Sequence, residues 1–245
     1  MIDYKIKYQA VIFLNASDIL PNQKNISTLM NEFSDKELIP NTFQEFPNFI
    51  QLPSQPRFQL SSPNNEWVIR FGTARIDIEK NPVDIKGNNL GEVKEFCTDA
   101  SIFFERILIK YPRQANRVAL VTRFLLQEFT ETKMHEIYTK LFNATKLYSE
   151  NKPFEWNWRS VSKIKKTINK LEEEFNFITA INRAKGEFRE DKNVSTLDRI
   201  ELNFDINSLP TNLEARFGIN SIREYYDSVY EWHDQIINEL CDFIK

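Results

Sequence analysis

The sequence predicts an α+β fold: antiparallel sheets with long amphipathic helices packed on them, arranged as a tandem β-α-β-β-β-α duplication. Three observations predict it. Two long segments, 92–111 and 222–244, carry apolar residues at spacings of three and four, the period of a helix with one buried face. Several shorter segments alternate apolar and polar residues between prolines, as half-buried strands do. The two helical stripes also coincide residue for residue at a constant offset of 129.

Along the chain, residues 6–14 (IKYQAVIFL) read as a strand, and 25–33 as a short helix carrying Ile26, Leu29, Met30 and Phe33 at helical spacing. Residues 40–64 hold Pro40, Pro47, Pro53, Pro56 and Pro63, and read as loop with one edge strand at 57–60. Residues 66–71 (EWVIRF) and 73–79 (TARIDIE) form a strand pair joined near Gly72, and Pro82 ends it. The first long helix covers 92–111 and stops at Pro112. A long strand at 117–129 and a short helix at 132–142 follow. Residues 154–161 read as a strand with aromatics on one face. The stretch 161–175 is ambiguous: Val161, Ile164, Ile168, Leu171 and Phe175 have helical spacing, but two strands and a turn also fit. Strands at 175–180 and 197–206, then the final helix at 222–244, complete the chain.

The duplication rests on matched registers. Val93, Phe96, Cys97, Ala100, Phe103, Phe104, Ile107 and Leu108 fall on Ile222, Tyr225, Tyr226, Val229, Trp232, His233, Ile236 and Ile237. Upstream, Ile76, Ile78 and Pro82 fall on Phe204, Ile206 and Pro210 at an offset of 128. Two amphipathic helices share a period by default, but agreement of strand, proline, gap and helix is more demanding. The expected division is 1–113 and 114–245, two related halves packed as one unit.

Composition fits a folded protein with a sizeable core: 13% of the residues are aromatic, 20 of them Phe, and each buried ring removes a large apolar area from water. The net charge of -3 leaves no global cationic excess for phosphates, so nucleic-acid binding would need a local patch. No apolar run approaches the roughly eighteen residues of a membrane span, and the opening Met1-Ile2-Asp3-Tyr4-Lys5 lacks a signal-peptide core. A cytoplasmic protein with no membrane association is expected. Cys97 and Cys241 sit on apolar stripes and read as buried free thiols.

Four stretches, EWVIRF (66–71), RVALVTRF (117–124), IELNFDI (200–206) and WHDQIINEL (232–240), resemble a sporadically distributed bacterial family of uncharacterised proteins of about this length. The resemblance implies no activity. The patchy occurrence of that family implies a mobile-element or phage-defence setting.

Familiar catalytic chemistry is poorly supplied. The two histidines, His135 and His233, and the two distant cysteines form neither CxxC nor HExxH spacing. The five glycines form no phosphate-binding loop, and GxSxG is absent. No cofactor, metal site or catalytic residue is expected. Asp77 and Glu79 share one face of a strand, which reads as a solvated face rather than a magnesium site. His233 lies on the buried stripe. It reads more plainly as a core histidine than as a base or ligand contact in a pocket. Trp156 and Trp158, followed by Arg159, Lys163, Lys165 and Lys166, could stack bases and hold phosphates. Glu172, Glu173 and Glu174 follow at once, and a solvated face with the tryptophans in a core or interface is the plainer reading.

The expected function is that of a non-catalytic protein-binding or assembly component, with a protein partner or a second copy of the chain. A nucleic-acid interface at 156–170 and a small-molecule pocket near His233 are the alternatives.

Overall fold

The computed structural model of the chain describes residues 1–46, 54–190 and 193–245; for 187–190 and 193–195 it describes the backbone alone. At its centre, β1 (Ile2–Phe13) pairs antiparallel with β6 (Arg117–Leu126), Ala10 opposite Leu120 and Ile12 opposite Val118. These strands alternate apolar residues, so one face of the pair is continuously hydrophobic.

The sheet grows outward from this pair on both sides. On one side lie β5 (Arg75–Lys80), β4 (Trp67–Phe71), β3 (Gln55–Ser61) and β2 (Ile39–Glu45). On the other lie β9 (Asn193–Ser208), β8 (Leu171–Glu190) and β7 (Asn157–Ile168). The result is one nine-stranded antiparallel sheet in the order β2-β3-β4-β5-β1-β6-β9-β8-β7.

Two helices cover the hydrophobic face. The first, α2 (Val93–Lys110), follows β5, and α5 (Ile219–Ile244) ends the chain. Glu95 of α2 reaches back to the N–H of Glu92, 3.2 Å away, which satisfies a donor the helix cannot use. Phe96, Phe103 and Phe104 of α2 and Tyr225, Tyr226 and Val229 of α5 are buried against the sheet. Tyr225 donates from its hydroxyl to the carbonyl of Ile206 at 2.6 Å, so the polar end of the ring is satisfied inside the core. Shorter helices flank them: α1 (Gln23–Glu32), capped by Asn22; α3 (Glu131–Leu141), capped by Thr130; and α4 (Lys146–Glu150).

Three sequence expectations need correction, and one ambiguity is resolved in favour of strands and a turn. The stretch 40–64 holds a second strand, β2, because a sheet edge tolerates Pro40 where a central strand would not. The first half therefore carries one more strand than the expected β-α-β-β-β-α. The aromatic strand begins at Asn157 rather than 154, which leaves Trp156 outside it. The ambiguous 161–175 is a hairpin. Asn169 and Lys170 both hold positive φ, the geometry of a two-residue turn, and Ile168 pairs with Leu171. The helical spacing there is coincidental, since Val161 and Ile164 point to opposite faces of β7. Finally, Asp77 and Glu79 are not a solvated face: they are 3% and 4% exposed.

Candidate functional site

Strand alternation decides which of the candidate residues meet. Along β7, Trp158, Ser160, Ser162, Ile164 and Lys166 face the helices, and Arg159, Val161, Lys163 and Lys165 face the other way. The basic and aromatic residues are thus divided between two faces. Lys166 lies over the Trp232 ring at 5.1 Å, a cation–π contact on the helix side. Lys165 pairs with Glu172 across the hairpin at 2.8 Å, and this partner raises its pKa. Arg159 and Lys163 are exposed on the opposite face. Trp156 precedes the strand and packs among Tyr138 and Phe142, with ring centroids 6.2 and 6.0 Å away. Its indole N–H is buried and has no hydrogen-bond partner.

On the helix side, β7 borders a groove of about 390 Å³. Its floor is Trp158, Ile164, Phe177 and Thr179, and its far wall is Ile236, Leu240 and Phe243 of α5, with Leu141 closing one end. The groove exists because the apolar stripe of α5 runs past the residues that the sheet buries. Val229 and His233 are covered, whereas Ile236 and Leu240 are half-buried and Phe243 is 44% exposed. Two α3 lysines hold the end of α5 in place: Lys140 donates to the carbonyl of Phe243 at 3.0 Å and Lys133 to that of Lys245 at 2.7 Å. Cations there also complement the negative end of the helix dipole. The sequence signal for this groove was the width of the α5 stripe, beyond what the neighbouring strands can cover.

His233 belongs to the core. It is 1% exposed, with Phe204 and Phe124 centroids at 5.3 and 5.8 Å. Its Nε2 lies 2.8 Å from the Thr122 hydroxyl and its Nδ1 lies 3.3 Å from Asp234. That arrangement suits an Nδ1–H directed at the carboxylate and an Nε2 accepting from Thr122. None of four surface clefts among the described residues is lined by His233. Burial pushes the Cys97 thiol far above its ordinary range, and no metal-ligating cluster forms among the described residues.

Among the described residues no helix packs on the opposite face of the sheet, which is strongly polar. Glu79 accepts from Lys7 at 2.7 Å and from Arg70 at 2.6 Å; Asp77 meets Gln9 at 2.8 Å and Arg75 at 3.0 Å. Burial raises the pKa of Asp77, opposed by Arg75 and the Gln9 hydrogen bond. Asp205, two strands beyond the central pair's β1, is raised by burial in the same way, opposed by Asn207 and Arg117. These carboxylates are satisfied by neighbours in the sheet and offer no open coordination position.

The largest of these four clefts, about 910 Å³, lies over Leu147, Tyr148, Phe154 and Trp156. Its one buried cation, Arg183, is already engaged by Asp198 and Glu131. No helix among the described residues is long and apolar enough to cross a membrane. No protein family, curated protein or solved structure matches the chain.

Proposed function

We propose that this chain is a non-catalytic protein-binding component, and that its binding face is the groove between β7 and the C-terminal half of α5. The observation that carries the reading is the groove itself. Its aromatic and aliphatic walls stay open to solvent, while the buried His233 and Arg183 nearby are already engaged by Thr122 and by Asp198 and Glu131. Exposed apolar clefts rimmed by polar residues are characteristic of protein-binding surfaces. The resemblance noted in the sequence supports a bacterial defence or mobile-element assembly as the setting, and the same reading puts it in the cytoplasm.

The proposal includes the tandem duplication, with α2 and α5 as its paired amphipathic helices. Placing Ile76 and Ile78 on Phe204 and Ile206 carries through the strand pairings: Phe71 falls on Thr179, Trp67 on Phe175, and Arg57 on Arg159. The helix register puts Phe96 on Tyr225 and Phe103 on Trp232. Aromatic contacts support both placements. Trp67 meets Phe96 and Phe103 at 5.9 and 5.1 Å, and Phe175 meets Tyr225 and Trp232 at 5.6 and 5.4 Å.

Site-specific photocrosslinking in the native cells tests the binding face. A photoreactive phenylalanine at Ile164 or Phe243 should give one discrete protein adduct, and one at Val83, on a distant loop, should give none. Equal labelling from all three positions, or none from the groove, removes the reading.

A further inference from the structure

The sheet ends differently on its two sides, and the difference identifies what the β7 border is built to receive. Resting on the protein-binding reading above, we propose that the partner adds a strand to β7, through an extended segment that alternates apolar and acidic residues.

Three observations carry this. The first is positional. Counting outward from the centre, β3 and β7 occupy equivalent places, but β3 is covered by β2, and nothing among the described residues takes the corresponding place beside β7. The second is the direction of the backbone. In a two-residue hairpin turn the closing pair, here Ile168 and Leu171, exchanges both of its hydrogen bonds. Alternation then directs the even-numbered residues of β7 toward β8. The odd-numbered ones, Arg159, Val161, Lys163 and Lys165, turn their N–H and C=O groups to the free edge. The pairing with β8 is unbroken from Asn157 to Ile168, and the strand contains no proline, so this edge is a long and regular template.

The third observation is chemical. Side chains of an added strand alternate between the faces. On the helix side they would meet Trp158 and Ile164 and the groove behind them. On the other side they would meet Arg159 and Lys163. The covered edge shows this pairing already: Glu45 of β2 lies 3.6 Å from Arg57, the residue corresponding to Arg159. A second copy of the chain fits poorly, because two antiparallel β7 edges would bring the same cations against each other.

Titration calorimetry with an acetylated, amidated peptide of about eight residues, a common strand length, tests the proposal. A peptide alternating valine and glutamate should bind and slow amide exchange at odd-numbered β7 positions. Its valine–lysine counterpart should not bind. Arg159→Glu with Lys163→Glu should reverse that preference, a readout that depends on surface charge alone. Val161→Pro removes one outward donor and leaves the β8 ladder intact; affinity should fall about three- to tenfold, the worth of one hydrogen bond. Phe243→Glu should abolish binding by spoiling the groove. If Phe243→Glu abolishes binding but Val161→Pro and the charge reversal leave it unchanged, strand addition is wrong and the groove reading stands. If no variant changes peptide binding, both readings fall. Self-association that Val161→Pro abolishes would make the occupant a second copy and overturn the proposal.

Discussion

Strands β3 and β7 stand at equivalent distances from the centre of the same sheet, yet their arginines lead opposite lives. Arg57 in β3 is 1% exposed and donates to the carbonyls of Ala16, Ser17, Phe71 and Gly72 at 2.6 to 3.2 Å, with Glu45 beside it. Arg159 in β7 is exposed. The residue type is the same, and the difference comes from what lies next to the strand. Against the Ala16–Ser17 loop and the end of β4, with Glu45 of β2 beside it, the guanidinium becomes a structural clamp that joins a strand to the loops at its end. Without such a neighbour it remains a solvated charge available to a partner. Residue chemistry sets what a side chain can do, and the loops and strands packed beside it decide what it does.

The sharpest test of this contrast is stability. Arg57→Ala strips donors from four carbonyls, three of them buried, and should cost about 3 to 5 kcal/mol, the range for breaking a buried charged network. Arg159→Ala should stay within about 0.5 kcal/mol, as exposed substitutions do. Denaturant midpoints for the two variants measure the difference, and equal costs would break the comparison.

A smaller effect tests whether the two flanks are built alike. Double-mutant cycles for Trp67 with Phe96 and for Phe175 with Tyr225 should each return a coupling of about 0.5 to 1.5 kcal/mol. Coupling in only one flank would argue against a shared plan. Smaller again is the cost of Val161→Pro to the free chain. The other edge already accommodates Pro40, and an outward N–H contributes nothing to the β8 ladder. The expected loss is under about 1 kcal/mol, read from thermal melts.

The smallest effect is in pH dependence. Burial raises the pKa of Asp77 in one flank and of Asp205 in the other. The folded chain therefore holds these protons more tightly than the unfolded chain. Their contribution to stability falls as pH rises from the ordinary carboxylate range through the raised values. Asp77→Asn and Asp205→Asn should each increase stability at neutral pH and flatten that slope. Arg113, Arg106 and Arg183 hold Asp18, Asp35 and Asp198 below their ordinary values, so those pairs act oppositely and weaken as pH falls through the lowered values. Urea midpoints from strongly acid to neutral pH separate the two groups; a destabilising effect of both Asn substitutions at neutral pH would contradict the assignment.

Much of the architecture was legible before any coordinates. Helical spacing marked α2 and α5, because a long stripe facing a sheet leaves a periodic trace. Alternation marked β1, β5 and β9, each of which has one face in the core. Other features left weaker traces. The β7–β8 hairpin was obscured because β7 is largely exposed and carries no hydrophobic alternation; only the turn geometry of Asn169 and Lys170 settles it. The edge strand β2 was obscured by Pro40, since a proline argues against a strand unless the edge position is known. Neither Asp77 nor Glu79 announces its burial, which depends on Gln9, Arg70, Arg75 and Lys7 arriving from three strands.

The sequence by itself determined the α+β class, the two apolar helix faces and the absence of zinc, thiol and phosphate-loop motifs. These follow from local period and residue supply, which need no knowledge of what lies across the sheet. Tertiary structure alone decided that Trp158 and Lys163 face opposite ways, that His233 is sealed against Thr122, and that Arg57 is buried where Arg159 is exposed. Each of these depends on strand pairing between residues distant in the chain, and such pairing determines which side chains water can reach.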